Sequence, residues 1–424
     1  MNNFLKKIFK QGTSSQKRRV YLDNAGTTPT GARPKAALLE SLSIFGNPSG
    51  IHKEGVEAGL LLDKARVMCA TVLNAHSYEI YFVGSGTESC NLAVIGTYLG
   101  ATKNEERRTN NYIPHIITST IEHPAVLEPI QKLEREGKIT VTYLPVYENG
   151  IVKVNDIREA ITEDTILVSV MYANNEIGTL QPVKEIGRML EEWKKENGRT
   201  HTSYPYFHVD ACQAGNYCNL DAVRLRAHLV TVNSSKVYGP KGIALLYKRE
   251  GIIIEPVING GGQERGLRSG TESVALAYSF GIALTEAKEL KEKEGERLRE
   301  LRDYCKDELQ KVIIGIKFYG AWDEYDSRKF LRNEFRLPNN INCRIPGISS
   351  EEMIIRLDTE GFAVSHKSAC SSQVDDGSYV IKALGVGGVE ANENIRITLG
   401  RSTTKGDITR LVLSIKNISI KFAN

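Results

Sequence analysis

The sequence predicts an α/β protein: a large layered domain built on a mainly parallel sheet, followed by a smaller α+β unit. Three observations lead there. From about residue 79 to 250, short apolar runs alternate with stretches of helical periodicity, the pattern of strands joined by crossover helices. The run Thr165 to Met171 is almost continuously apolar, as a strand covered on both faces must be. At 424 residues the chain is long enough for a large domain and a smaller one.

In chain order, residues 1–19 hold Lys6, Lys7, Lys10, Lys17, Arg18 and Arg19 and no acid, and Phe4, Leu5, Ile8 and Phe9 would share a helical face. A poorly ordered basic tail is the first reading. An organelle-targeting peptide or a membrane-touching arm is the second. Tyr21 to Pro29 reads as an extended piece ending in a turn, and Gly46-Asn-Pro-Ser-Gly50 as a break. Lys53 to Leu73 has helical spacing, with Val56, Leu60, Ala65 and Val67 expected to point mostly inward.

Glu79 to Val83 is a strand that runs through Gly84-Ser-Gly-Thr-Glu-Ser89 into a helix expected from about Asn91. Free amides at such a helix start favour a phosphate, and glycine lets the backbone approach it closely. Many glycine-rich turns bind nothing, so this one gains weight only if a phosphate-bearing ligand is implied elsewhere. His115 to Ser119 is a strand followed by His123, at a position where ligands collect in α/β sheets. Thr140 to Leu144 is a strand and Val152 to Ile161 a helix. The Thr165 strand ends in Tyr172-Ala-Asn-Asn-Glu-Ile-Gly178, whose buried polar groups need a ligand or a turn backbone as partner. Val183 to Glu196 is an amphipathic helix, and strands follow at Phe207–Asp210, Leu229–Val232 and Ile243–Tyr247.

Gly260 to Thr271 is a glycine loop carrying Arg265 and Arg268, a kind of segment that carries function on a rigid scaffold. A long helix is expected from Thr271 to about Val312, with the domain boundary near 290. The divisions are thus a tail at 1–19, a large domain at 20–290 and a small one at 291–424. Ala321 to Phe335 is a charged insertion, expected to be an exposed loop, and short strands are expected at Asn340–Arg344, Ala363–Ser365 and Ile395–Leu399.

Composition narrows the function. A formal charge of +4 is far from the concentrated basic face of a nucleic-acid binder, so direct nucleic-acid recognition is not expected. Seven scattered cysteines with no CxxC pair suit a reducing compartment, such as the cytoplasm or an organelle matrix, and argue against a zinc ribbon or disulfide framework. No apolar run is long enough to span a bilayer.

Two strand ends suggest chemistry. Lys236 sits between the Leu229 strand and a Tyr-Gly-Pro-Lys-Gly turn, framed by stiff elements. A surface lysine in a strand-turn-strand unit is the plain reading. A lysine that must form an imine needs such a frame, because its amine has to be fixed and partly desolvated. Asp210 ends the strand before it. Pyridoxal phosphate needs such a lysine, and an acid to keep its pyridine nitrogen protonated.

Further pieces complete a pattern: Leu22-Asp-Asn-Ala-Gly-Thr-Thr-Pro, Gly46-Asn-Pro-Ser, Gly86-Thr-Glu-Ser, Glu122-His, Asn174-Asn-Glu-Ile-Gly, His208-Val-Asp-Ala-Cys-Gln, Lys236-Val-Tyr-Gly-Pro-Lys-Gly, Arg268-Ser-Gly-Thr, Ser368-Ala-Cys-Ser-Ser and Ile395-Arg-Ile-Thr-Leu-Gly-Arg. In this order they resemble the class V aminotransferase-fold cysteine desulfurases, which supply sulfur for iron–sulfur clusters and tRNA thiolation. The resemblance implies a pyridoxal phosphate-dependent transferase fold with a seven-stranded sheet. It implies that Lys236 carries the cofactor, Asp210 pairs with its pyridine nitrogen, Gln213 bonds its phenolic oxygen, and His123 stacks on the ring and shuttles protons. Gly86 and Thr87 would take the phosphate, with Thr271 reaching it from the partner subunit of a homodimer. Asn175 and Arg396 would hold the substrate L-cysteine. Cys370 would be the nucleophile that becomes a persulfide and passes sulfur to a scaffold or carrier protein.

Two departures stand out. Asn233 and Ser235 replace the serine and histidine that usually help bind the phosphate, and His366-Lys367 replace Ser-Gly ahead of the cysteine. The first change is expected to loosen the cofactor. The second is expected to place positive charge near Cys370 and so favour its thiolate. The alternatives are another enzyme of the same fold, such as a selenocysteine lyase or an aminotransferase, or a non-catalytic scaffold. A transaminase has no use for Cys370, and a scaffold has none for Lys236, Asp210 and His123.

Overall fold

The structure, a computed structural model, describes residues 18–103, 112–322, 335–367 and 377–423. The basic tail up to residue 17, most of the charged insertion and Cys370 lie outside the described residues. In order, the elements are β1 (Val20–Tyr21), α1 (Ala32–Ser41), α2 (Lys53–Leu73), β2 (Ile80–Val83), α3 (Gly86–Lys103), β3 (His115–Ser119), α4 (Pro124–Arg135), β4 (Thr140–Leu144), α5 (Val154–Ala160), β5 (Thr165–Met171), α6 (Val183–Glu196), β6 (Tyr206–Asp210), α7 (Ala222–Leu225), β7 (Leu229–Asn233) and β8 (Ala244–Lys248). There follow α8 (Val274–Val312), β9 (Lys317–Phe318), β10 (Asn340–Arg344), α9 (Ser350–Thr359), β11 (Phe362–Ala363), α10 (Tyr379–Ala383), β12 (Asn394–Thr398) and α11 (Lys405–Ala423).

Seven strands form one sheet in the order β2-β8-β7-β6-β5-β3-β4. Only β8 runs against its neighbours, so the sheet is mainly parallel, and the carboxyl ends of β2, β3, β5, β6 and β7 share an edge. Every residue of β5 is buried, as its unbroken apolar run requires. A smaller antiparallel sheet, β12-β10-β9, carries Arg396. The long helix α8 passes through the boundary expected near residue 290. Its Val274–Ala287 half packs into the large core, and its Leu298–Leu309 part packs into a second core with β10, β12 and α11. Val20 and Leu22 also belong to that second core, because β1 pairs with β11.

The helix from Lys53 is present, but its expected inward face is wrong except at Ala65. Val56, Leu60 and Val67 are exposed. The buried face is Gly55, Ala58, Leu62, Ala65, Cys69 and Leu73, whose small residues let α2 lie close to α8. Helix α3 starts at Gly86 rather than near Asn91, because the Ser85 hydroxyl accepts the Glu88 amide and caps it there. The glycine turn is therefore the first turn of the helix. Among the described residues, no helix is long and apolar enough to cross a membrane.

The edge strand β2 has side chains in place of a missing neighbour. The Phe82 amide donates to Glu264 at 3.0 Å, and Arg66 donates to the Ile80 carbonyl at 2.7 Å, as does Arg265. Arg66 and Glu264 form a buried pair at 2.7 Å. The pair holds Glu264 and Arg265 at φ values of 46° and 55°, a region few non-glycine residues adopt. This fixes the Gly260–Thr271 loop to the sheet. Arg66→Met leaves Glu264 buried without its cation and is expected to lower unfolding free energy by about 3 kcal/mol or more, read by urea denaturation.

A second buried polar cluster sets a pH dependence. The Phe207 amide donates to His228 Nδ1 at 3.0 Å, so the His228 proton sits on Nε2, which lies 2.9 Å from the His201 carbonyl. Lys194 Nζ lies 2.8 Å from the same Nε2 and 3.3 Å from the His201 carbonyl, and only its neutral amine can accept the Nε2–H. Burial, with Arg249 and Arg199 alongside and Glu191 opposing, pushes Lys194 down to about 7. The unfolded chain keeps that proton until about pH 10. Between these values the unfolded state binds the extra proton, so stability rises with pH. Lys194→Met is expected to remove about 2 kcal/mol of the rise in unfolding free energy from about pH 7 to 9, measured by denaturation at both pH values.

Candidate active site

The shared carboxyl edge of the sheet opens into a cavity that Gly86, Thr87, His123, Asn175, Asp210, Gln213, Asn233, Lys236 and Arg396 all line. The parallel β6–β7 pairing sets Asp210 and Lys236 on neighbouring strand ends, with Asp210 opposite Thr231. A short 3-10 turn, Ser234–Lys236, leaves β7, and the Asn233 side chain caps it by accepting the Ser235 amide. Lys236 Nζ donates to the carbonyls of Ala25, at 2.7 Å, and Gly26. Thr28 binds the Ser235 carbonyl through both its amide and its hydroxyl, stitching the Asp23–Thr28 turn to the lysine.

Asp210 is buried, and its Oδ1 accepts the Cys212 amide at 3.0 Å. His123 caps α4: its Nδ1 accepts the Ala125 amide at 3.1 Å, so in the neutral ring Nε2 carries the proton. Burial holds His123 below the ordinary histidine value; Asp210 opposes this, and Lys236 and Arg396 add to it. Next to it, burial raises the Glu122 carboxyl to about 8, although Ser119 and the Met171 amide donate to Oε1. Glu122 is therefore protonated at neutral pH, and Asp210 faces the cavity without a second carboxylate beside it.

The end of the cavity expected to take a phosphate is built from α3 and β7. The amides that open α3 have no acceptor within the helix. At Gly86 a Cβ would lie 3.0 Å from Cys212 Sγ and 3.2 Å from Asn233 Nδ2, so glycine keeps this cradle open. Ser235 does not line the cavity. Its hydroxyl turns to Asn233 Oδ1 at 3.2 Å. That contact, with the Ser235 amide on the same oxygen, leaves Asn233 Nδ2 as the donor facing Gly86. Thr271 is exposed and outside this cavity, at the end of the loop that Arg66–Glu264 and the 2.6 Å Arg268–Glu88 pair hold in place.

At the end expected to hold the substrate, Arg396 Nε and Asn175 Oδ1 are buried and have no partner among the described residues. The described residues on either side of the Cys370 segment are tied to this end. Ser365 bridges Arg396 through both backbone bonds, and the Ser378 hydroxyl donates to Glu176, next to Asn175. Burial first, then Lys367 and Arg396, push His366 down to about 4. His366 is thus uncharged at neutral pH, and the positive charge expected from the two residues falls to Lys367 alone.

Sequence reading missed several residues of the site. Cys90 and Cys212 both line the cavity beside Asp210, but as small thiols, one just after a motif and one inside another, they carried no separate signal. Asp23 lay in a quoted motif with no role, yet it pairs with Arg396. If Asn233 Nδ2 is the phosphate donor, Asn233→Asp turns that donor into an anion. It is expected to weaken retention of pyridoxal phosphate about tenfold or more, measured by equilibrium dialysis. Unaltered retention would show that the α3 amides suffice.

The comparisons agree with this geometry. The aminotransferase class-V family matches residues 20–411. Similar curated relatives include a cysteine desulfurase IscS of Dictyoglomus turgidum, 39% identical over 95% of this chain and 97% of that one. Another is cysteine desulfurase IscS 1 of Archaeoglobus fulgidus, 38% identical over 92% and 94%. Among solved structures, a NifS-like protein superposes with a TM-score of 0.81 at 32% identity, covering 94% of this chain and 99% of that one. The NifS-like protein of Rickettsia africae gives 0.79 at 27%, covering 95% and 99%. A family match across nearly the whole chain, with relatives this similar end to end, means that the chain belongs to the aminotransferase class-V family and, within it, to the cysteine desulfurases.

Proposed function

We propose that this protein is a pyridoxal phosphate-dependent cysteine desulfurase. It converts L-cysteine to L-alanine, carries the sulfur as a persulfide on Cys370, and hands it to an iron–sulfur scaffold or sulfur-carrier protein. The observation that carries the reading is the meeting of Lys236, Asp210 and Arg396 in one cavity. The residues present fit the cofactor: an open cradle at Gly86 for the phosphate, an acid and a lysine lining the same cavity, and Arg396 Nε and Asn175 Oδ1, without partners among the described residues, for the substrate.

In this reading Lys236 Nζ anchors the cofactor and later moves a proton at the substrate. Asp210 holds the proton on the pyridine nitrogen. Gln213 Nε2, already on the Ala25 carbonyl at 2.9 Å, keeps a second hydrogen for the phenolic oxygen. Thr87, Asn233 Nδ2 and the α3 amides take the phosphate. His123 would stack on the ring, and its Nε2–H could be passed on as a proton. Pyridoxal phosphate, when bound, withdraws electrons from the substrate's α-carbon and so weakens its Cα–H and Cβ–S bonds. Arg396 and Asn175 fix the substrate carboxylate, which leaves the sulfur free to meet Cys370. The Cys370 thiolate forms the new S–S bond as the Cβ–S bond breaks, and the electron pair left on carbon is protonated to give alanine. A thiol on an acceptor protein then takes the outer sulfur.

Homodimer formation is part of the proposal. Leu39, Leu42, Phe45, Ile51 and Leu60 are large apolar side chains exposed on α1, α2 and the loop between them. Groups of this kind mark protein interfaces. The exposure of Thr271 suits a residue that serves a second copy's cavity. Six described cysteines are free thiols, as in a reducing compartment such as the cytoplasm.

The test is to incubate the purified, cofactor-loaded protein with L-cysteine and dithiothreitol and to measure sulfide and alanine together. Equimolar products are expected. Cys370→Ser is expected to keep the spectral response to cysteine and to release no sulfide above background. Full sulfide release by that variant would overturn the persulfide route.

A further inference from the structure

Arg396 is positioned before any substrate arrives. Its NH1 donates to the Asn175 carbonyl at 3.0 Å, and its NH2 donates to Asp23 Oδ1 at 2.8 Å. Among the described residues its Nε has no partner, although the side chain is buried and lines the cavity. A guanidinium is flat and carries five N–H donors. Two contacts from different elements therefore fix its plane. They leave Nε–H unused on the edge it shares with NH2, the edge through which a guanidinium can take both oxygens of a carboxylate.

Asp23 is itself held. Its carbonyl accepts from the Tyr21 hydroxyl at 3.0 Å, and its backbone bridges Thr398 on β12. A Cβ at Gly26 would lie 2.5 Å from Asp23 Oδ2, so the carboxylate can occupy this place only because residue 26 is glycine. The same turn supplies the carbonyls of Ala25 and Gly26 that receive Lys236 Nζ. Asp23 does not line the cavity, so it acts through Arg396 rather than on the substrate.

We propose that Asp23 is the positioning residue for recognition of the substrate α-carboxylate: it locks the plane of the Arg396 guanidinium at the wall of the cavity and leaves Nε–H for the carboxylate. The proposal rests on the desulfurase reading for the identity of the substrate. It does not rest on sulfur release, because any α-amino acid with a free carboxylate would use the same edge.

The experiment is a spectral titration of the cofactor-loaded protein with two ligands. L-alanine carries the carboxylate, and cysteamine is cysteine without it. Asp23→Ala is expected to weaken L-alanine binding about tenfold or more and to leave cysteamine within about twofold. Asp23→Asn keeps an oxygen acceptor for NH2 and is expected to stay within about threefold for both ligands. In steady state with L-cysteine, the Asp23→Ala loss falls on KM rather than kcat, with the resting spectrum unchanged. Should Asp23→Ala fail to fold, Asp23→Ser, which is too short to reach the guanidinium, is read in its place. Equal weakening of both ligands, or unchanged L-alanine binding, would overturn the proposal. So would an Asp23→Asn loss as large as that of Asp23→Ala. A parent protein that binds L-alanine but releases no sulfide from cysteine would sink the desulfurase reading and leave the role of Asp23 standing.

Discussion

The site depends first on the parallel pairing of β5, β6 and β7. Side chains alternate between the faces of a strand, so a slip of one residue would send Asp210 to the wrong face of the sheet. With the register observed, Asp210 stands opposite both Met171 and Thr231, where β5 and β6 end and two residues before the end of β7. Lys236 follows β7 by one tight turn. The distance between the acid and the amine is thereby set by backbone hydrogen bonds, which are stiffer than any side-chain contact. The apolar strands on either side exist to hold that register, which explains why β5 is buried throughout.

Desolvation decides which groups near the cavity carry charge. Glu122 is raised, and His123 and His366 are lowered, in each case with burial as the first cause. Polar groups in such surroundings need partners. Arg396 has Asp23, and Lys236 is received by two backbone carbonyls on the same turn. A short N-terminal turn thus faces both basic side chains of the site. It is anchored at the other end by β1, which pairs with β11 and belongs to the second core. The chain's first described residues consequently tie the two cores together at the point where a substrate would be gripped.

A second tie runs through the loop from Gly260 to Thr271. Its strained residues Glu264 and Arg265 satisfy the open edge of β2, and Arg268 reaches Glu88 at the start of α3. An exposed edge strand is a liability that proteins cover. The cover also leaves Thr271 exposed, where the proposed homodimer would receive it, so edge protection and that role would share one piece of chain.

Much of this was legible from residues alone. The alternation of strands and helices, the buried run of β5, and the placement of Lys236, Asp210, His123 and Gly86 at strand or helix ends follow from local periodicity and turn chemistry, which the sequence carries directly. The motifs were specific enough to indicate the family. What the residues could not say was which of two apolar faces a helix would bury. Val56, Leu60 and Val67 are as apolar as Leu62, yet they lie outside, because close packing on α8 selects the face with Gly55 and Ala58. Nor could spacing pair residues far apart in the chain. Asp23 meets Arg396, Arg66 meets Glu264, and Lys194 meets His228 only once the sheet and the second core are assembled. The charge of His366 belongs to the same class. Its residue type predicts a basic neighbour for Cys370, but burial beside Lys367 and Arg396 removes the proton. Local chemistry determined which side chains are available; the desolvation and long-range contacts of the folded state decided which of them are charged, paired and aimed.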